Sequence, residues 1–161
     1  MTEFLSKSLE ETKNIAFDFA NSLEDAHQGE VTVVGLYGDL GSGKTTFMKY
    51  FAEALGVKET IQSPTFIIMR IFNLEFSIFK KLIHIDAYRL DSSDELLKLG
   101  WQELISDPDN LICVEWPDRL ADIMSGHLKI KFEHVSENER NILINKIQGP
   151  HSLAKVRATI P

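Results

Sequence analysis

Eight consecutive residues, Gly38-Asp39-Leu40-Gly41-Ser42-Gly43-Lys44-Thr45, fit the spacing G-x-x-x-x-G-K-[ST] at every fixed position. The chemistry this spacing serves is the holding of a phosphate chain. Gly41 and Gly43 can take the positive φ that curls backbone N–H groups inward around an anion. A helix starting at that point directs the positive end of its dipole to the same spot. Lys44 supplies a point charge for β- and γ-phosphates, and the Thr45 hydroxyl is a ligand for Mg²⁺. Asp39 is at odds with this use, because a carboxylate repels phosphate. It must face away from the ligand or orient water.

Such a loop works only between a strand and a helix, and both are legible. Val31-Thr32-Val33-Val34-Gly35-Leu36-Tyr37 reads as a buried, β-branched strand. Thr46 to Leu55 reads as a helix stopped by Gly56. Upstream, Ser8-Leu9-Glu10-Glu11 is a capping box opening a helix with apolar Ile15, Ala16, Phe19, Ala20 and Leu23, ending near Ala26. Downstream, Phe66 to Phe72 reads as a strand. The mixed segment Asn73 to Lys81 is expected to turn as a hairpin into a second strand, Leu82 to Asp86. Ser92-Ser93-Asp94-Glu95 is another capping box, for a helix running to Gly100. Leu111 to Glu115 is a core strand. Leu128 to Phe132 and Ile142 to Ile144 alternate in polarity, as half-exposed antiparallel strands do. No repeat or linker interrupts the pattern, so one domain over 1–161 is expected, with about 150–161 as a mobile tail.

Strands interleaved with helices, plus one phosphate loop, predict an α/β fold of the P-loop nucleotide triphosphatase class. The sheet is expected to be mainly parallel, with helices on both faces and antiparallel strands near the C-terminus. Ligands in such folds bind beyond the carboxyl ends of the strands. Two acids end apolar strands there, Asp86 and Glu115. Either can hold Mg²⁺ opposite the Thr45 hydroxyl, and composition does not divide their roles. His84 shares a strand face with Asp86 and reads as a hydrogen-bonded packing residue rather than a ligand. Trp116 offers a π-face usable for stacking a base. Arg89 and Arg119 are the arginines nearest these motifs, able to neutralise phosphate or to pair with surrounding acids.

The 161 residues are 43% hydrophobic and 25% charged, an ordinary balance for a globular protein. A formal charge of −7 argues against a general binder of nucleic acid or anionic membranes. No apolar run is long enough to span a membrane and no leader pattern opens the chain. The lone Cys113 lies within an apolar strand, as a small buried hydrophobe rather than a nucleophile. A reducing, cytoplasmic setting is expected.

Read together, the loop with Thr46-Phe47, Ser63-Pro64-Thr65-Phe66, His84-Ile85-Asp86-Ala87-Tyr88-Arg89-Leu90 and Glu115-Trp116-Pro117 resemble the TsaE (YjeE) family. These are small bacterial ATPases of tRNA threonylcarbamoyladenosine biosynthesis. The likeness runs from Glu10 to about Arg140. It implies ATP and Mg²⁺ as ligands, hydrolysis that is slow alone, and work with two partners, the TsaD and TsaB type proteins, with tRNA engaged indirectly through the complex. Carried over by position, Gly41, Ser42, Gly43, Lys44, Thr45 and Thr46 hold the phosphates, and Thr45 and Glu115 ligate the metal. Asp86 stands at the γ-phosphate as base or water-orienting group, with Lys44 the second catalytic residue. Ser63, Pro64 and Thr65 resemble a switch sensing the γ-phosphate. Leu5 and Asp118 fall where family members approach the nucleotide.

The stretch Phe72 to Lys81 is longer and more apolar than the family pattern, and the sequence beyond Arg140 has no motif that aligns with it. Two rival functions share these residues. A small-molecule kinase would need several arginines over the phosphates, whereas Arg70, Arg140 and Arg157 lie outside the motifs. A nucleotide-gated binding module would order Ser63 to Thr65 without turnover.

Overall fold

The protein is described by a computed structural model covering residues 1–62 and 67–146. Among the described residues, twelve segments of regular structure follow one another: β1 (Thr2–Ser6), α1 (Leu9–Ala26), β2 (Thr32–Tyr37), α2 (Lys44–Ala54), β3 (Met69–Asn73), β4 (Lys81–Asp86), α3 (Ser93–Lys98), α4 (Trp101–Ser106), β5 (Asn110–Glu115), a 3-10 turn (Pro117–Leu120), β6 (Leu128–His134) and β7 (Arg140–Lys146).

The seven strands among the described residues join one sheet in the order β1-β7-β6-β2-β5-β4-β3. The central four, β6, β2, β5 and β4, run parallel. The pairings β1·β7, β7·β6 and β4·β3 are antiparallel. The sheet is therefore mixed rather than mainly parallel, with antiparallel strands on both flanks and not only near the C-terminus. Two features hide this from the sequence. β1, at the extreme N-terminus, is too short and polar to read as a strand, yet it pairs Thr2 with Ile144 and Ser6 with Arg140 across the molecule. β6 carries the alternation of a half-exposed strand, but one of its edges runs parallel to β2.

The central strands are apolar throughout because both sheet faces are covered. Along β5, Leu111 and Cys113 turn to one face while Ile112 and Val114 turn to the other, the period of two that a pleat imposes. On the first face α1 and α2 pack through Phe19, Leu23, Phe47 and Phe51, with Phe19 and Phe51 ring centroids 5.5 Å apart. On the second, Leu96 of α3, Trp101 of α4 and Leu120 of the 3-10 turn cover Ile83, Ile85, Ile112 and Val114.

The helix ends show which local signals operate. The Ser8 hydroxyl accepts the Glu11 N–H at 3.1 Å, and the Glu11 carboxylate accepts the Lys7 N–H at 2.7 Å, one residue earlier than a standard capping box. At Ser92 the hydroxyl makes no capping bond; only the Glu95 carboxylate acts, on the Asp91 N–H at 2.9 Å. α2 begins at Lys44, two residues before the expected start, and closes with the Val57 N–H on the Ala52 carbonyl and Gly56 at φ +85°. Gly100 ends α3 as expected, but α4 restarts at once, because Trp101 is driven into the second-face core.

The expected strand from Phe66 is shorter and later, beginning at Met69; Phe66 itself lies outside the described residues. The hairpin is present: Asn73 pairs with Lys81, and the Leu74 N–H donates to the Lys80 carbonyl at 2.8 Å. Its turn is pinned to α1 where Ser77 donates to Glu24 at 2.5 Å and the Phe79 ring meets His27 edge-on.

Candidate functional site

The loop between β2 and α2 takes its shape from its glycines. Gly38, Gly41 and Gly43 have φ of +142°, +76° and +107°. A Cβ at Gly38 would stand 2.6 Å from the Phe132 carbonyl oxygen, so that position excludes a side chain sterically. At Gly41 there is open space, and the positive φ alone calls for glycine. The bare Gly41 and Gly43 leave a cradle at the start of α2, where backbone N–H groups and the helix dipole favour an anion.

Lys44, the first residue of α2, is folded back into this loop. Its ammonium donates to the carbonyls of Gly38 at 2.5 Å and Asp39 at 2.8 Å and lies 4.2 Å from the Trp116 ring centroid. Burial lowers its pKa, against the opposing pull of Glu115, Asp86 and Asp39. The Thr45 hydroxyl lies 3.3 and 3.5 Å from the two carboxylate oxygens of Glu115.

Sheet order brings the acids to this loop. β5 lies between β2 and β4, with Leu36 opposite Glu115 and Glu115 opposite Asp86. Both carboxylates thus stand at the carboxyl ends of adjacent parallel strands, beside the loop that leaves β2. Glu115 is 2% exposed and Asp86 4%. Asp86 accepts the Tyr88 N–H at 2.9 Å. Glu115 accepts from His84 Nε2 at 2.8 Å. Just after Glu115 the chain bends sharply. Trp116 is the one non-glycine with positive φ among the described residues, +59°, and its ring lies 5.0 Å from that of Tyr88.

These groups line a cleft of about 790 Å³, within the range of small-molecule sites. At one end stand Lys44, Thr45, Asp86, Glu115, Tyr88 and Trp116. The other end is walled by the start of α1, from Lys7 to Glu10 with Thr12, and by Glu137, Asn138, Arg140 and Ile142 at the β6–β7 connection. Gly41, Gly43 and Thr46 line the cleft as well. The donors fit the groups that the motif implies. A hydroxyl and a carboxylate within 3.5 Å are the hard oxygens that Mg²⁺ takes, and the glycine cradle suits a phosphate.

The sequence-derived residues fall into distinct groups. Gly41, Gly43, Lys44, Thr45, Thr46, Asp86, Glu115 and Trp116 converge on the cleft. Ser42 does not line it; its hydroxyl is buried behind the loop without a hydrogen-bond partner. Asp39 faces a separate hollow with Lys131 and Glu133, away from the cleft. Leu5 and Asp118 do not line the cleft either. Leu5 sits on β1 opposite Asn141, where a strand side chain is fixed by the pleat, and Asp118 lies on the 3-10 turn. Burial, then the charge of Asp118, push the Tyr37 hydroxyl up to about 12. Arg89 and Arg119 stand outside the lining, Arg119 donating to the Leu90 carbonyl at 3.4 Å. Ser63, Pro64 and Thr65 lie outside the described residues.

The α1 end of the cleft was invisible in the sequence. Lys7, Arg140 and Ile142 belong to no motif, and they meet only because β1 and β7 pair across the ends of the chain. Arg140 holds the β6–β7 turn, its Nη1 donating to the carbonyls of Ser136, Glu137 and Glu139, the first at 2.6 Å.

Residues 6–142 match the family model described as "Threonylcarbamoyl adenosine biosynthesis protein TsaE". Among curated relatives, proteins named tRNA threonylcarbamoyladenosine biosynthesis protein TsaE are similar over most of this chain. That of Bacillus subtilis is 35% identical, covering 89% of this chain and 85% of its own. That of Rickettsia prowazekii is 34% identical, covering 86% and 91%. The crystal structure of Bacillus subtilis YdiB superposes with a TM-score of 0.67 at 28% identity, over 91% of this chain and 86% of that one.

Proposed function

The chain belongs to the TsaE family of threonylcarbamoyl adenosine biosynthesis, and from that premise we propose that it is a magnesium-dependent ATPase on a P-loop fold. Its hydrolysis drives the cycle of the complex that installs threonylcarbamoyl on an adenosine beside the anticodon of tRNA. One observation carries this reading: the neighbours Lys44 and Thr45 and the sequence-distant Asp86 and Glu115 converge on one cleft at the start of one helix.

In this reading the triphosphate lies along the loop. Its terminal phosphate sits by Asp86 and Glu115, and the base lies towards Lys7 and Arg140. The Trp116 face is already taken by the Lys44 ammonium at 4.2 Å, which favours that base position over stacking on Trp116. Lys44 exchanges the Gly38 and Asp39 carbonyls for phosphate oxygens, a transfer made easier because two neutral acceptors are replaced by charged ones. Magnesium, when bound, neutralises charge on the phosphate oxygens, and Thr45 with Glu115 would hold it. Asp86, close to the same end, orients the attacking water and takes its proton as the bond to the leaving phosphate breaks. Slow turnover alone fits a site in which Arg140, the one arginine among the lining residues described, is spent on turn carbonyls. The same observation weighs against a kinase, which would clamp the transferred group with arginines.

The partners proposed are the TsaD and TsaB type proteins, with tRNA reached through them. A net charge of −7 favours protein contacts over direct RNA contact. Cytoplasmic work on tRNA accords with this, and among the described residues no helix is long and apolar enough to cross a membrane. The test is phosphate release with and without the two partners. Multiple turnovers stimulated by the partners, and lost in Lys44→Ala, are expected. Nucleotide binding with no turnover under any condition would favour a gated binding module instead.

A further inference from the structure

His84 has no part in the hydrolysis proposed for this cleft, yet it is enclosed completely, at 0% exposure, directly behind it. It sits on β4 opposite Cys113, two residues before Asp86, so pleating turns it to the same sheet face as Asp86 and Glu115. Nε2 is 2.8 Å from Glu115 Oε1, while Nδ1 is buried with no hydrogen-bond partner. A carboxylate accepting from the ring calls for a hydrogen on Nε2, which donates it to Glu115. An enclosed, unpaired nitrogen is a cost to folding. An aliphatic side chain, like those of Leu82 and Ile83 beside it, would fill the position without that cost. What the imidazole provides instead is a fixed orientation for Glu115. With Oε1 tied from behind, Oε2 is the oxygen nearer the Thr45 hydroxyl, 3.3 Å against 3.5 Å.

We infer that His84 is a positioning residue: its Nε2–H locks the Glu115 carboxylate so that Oε2 is presented, with the Thr45 hydroxyl, to a divalent cation. This rests on the reading that Thr45 and Glu115 hold magnesium. Hydrogen-bond partners behind metal ligands set metal affinity by about 10–100-fold when removed.

The test measures binding of a non-hydrolysable ATP analogue by calorimetry, in EDTA and across a magnesium titration, for the wild type, His84→Leu and His84→Gln. Leucine fills the site without a donor; glutamine returns an N–H near the Nε2 position. The expected result is unchanged affinity in EDTA for all three proteins. The magnesium midpoint of His84→Leu should be raised about 10–100-fold, with most of that shift recovered in His84→Gln. A magnesium midpoint in His84→Leu equal to that of the wild type overturns the inference alone. So does an equal loss of affinity with and without magnesium, which would mark a merely structural residue. A wild type whose affinity ignores magnesium overturns the inference together with the reading beneath it. Should His84→Leu fail to fold, nitrogen NMR of the wild-type imidazole decides. A proton on Nε2 whose signal moves when magnesium joins the analogue complex supports the role, and a ring protonated on Nδ1 but not on Nε2 overturns it.

Discussion

At the level of single side chains, Lys44 is held by two carbonyls and a ring face in a pocket that lowers its pKa, so its charge is poorly solvated and ready for an anion. Lys44→Ala is expected to cut ATP turnover about 10²–10³-fold, the usual cost of one charge-stabilising donor, while circular dichroism and thermal midpoint stay near wild type. The two acids should separate by assay. Glu115→Ala is expected to weaken magnesium-dependent nucleotide binding more than Asp86→Ala does. Asp86→Ala should leave binding largely intact and slow turnover by about 10²–10⁴-fold, as loss of a general base does. The reverse pattern in a magnesium titration and a turnover assay would exchange the roles. These side chains were legible because strand-ending acids and a glycine-lysine-threonine run are local signals. Arg140, Lys7 and the clash that fixes Gly38 were not, since each depends on an atom far away in sequence, such as the Phe132 carbonyl.

Two segments with the same capping-box spelling behave differently at the level of elements. Ser8 caps α1 through its hydroxyl, with Thr12 behind it 2.7 Å from the Ser6 hydroxyl. Ser92 occupies the cap position of α3 but its side chain makes no capping bond. Urea denaturation should therefore show Ser8→Ala destabilising by about 1 kcal/mol and Ser92→Ala by less than about 0.5 kcal/mol. Equal losses would mean that the sequence pattern, rather than the bond, sets the stability. The difference has a packing origin: Ser93 is drawn inward to the Asp122 carboxylate and Leu96 into the second-face core, which fixes the helix without its cap. β1 and β6 teach the same lesson for strands, because pairing partners decide what local alternation leaves open.

Seen as a whole, the molecule carries a titratable pair at the base of the loop, where the half-buried Tyr37 hydroxyl meets Nε2 of the buried His127 at 2.7 Å and Lys129 stands over the Tyr37 ring. Burial first, then Lys129, pull His127 below its ordinary 6.5, against a weaker pull from the Met124 backbone. The folded protein thus keeps His127 neutral where the unfolded chain has already bound a proton. Stability should fall as pH drops from about 6.5 towards the depressed folded value, and this group should add no pH dependence above that window. Urea melts between about pH 7.5 and 5.5 should show this loss, with a flatter dependence in His127→Gln; identical slopes would exclude His127 as the source. The sequence by itself determined the phosphate-loop spelling, the two strand-ending acids, the hairpin before β4 and the apolar strands of a two-faced sheet, because each is written in contiguous residues as local propensity and period. Only the tertiary structure decided that β1 closes one edge of the sheet on β7 and that β6 runs parallel to β2, that Arg140 and the start of α1 wall the cleft, that Leu5 and Asp118 stand apart from it, and that His84 grips Glu115. Those outcomes depend on strand order and register, which arise when distant segments bury apolar surface together and leave no trace in any short stretch of chain.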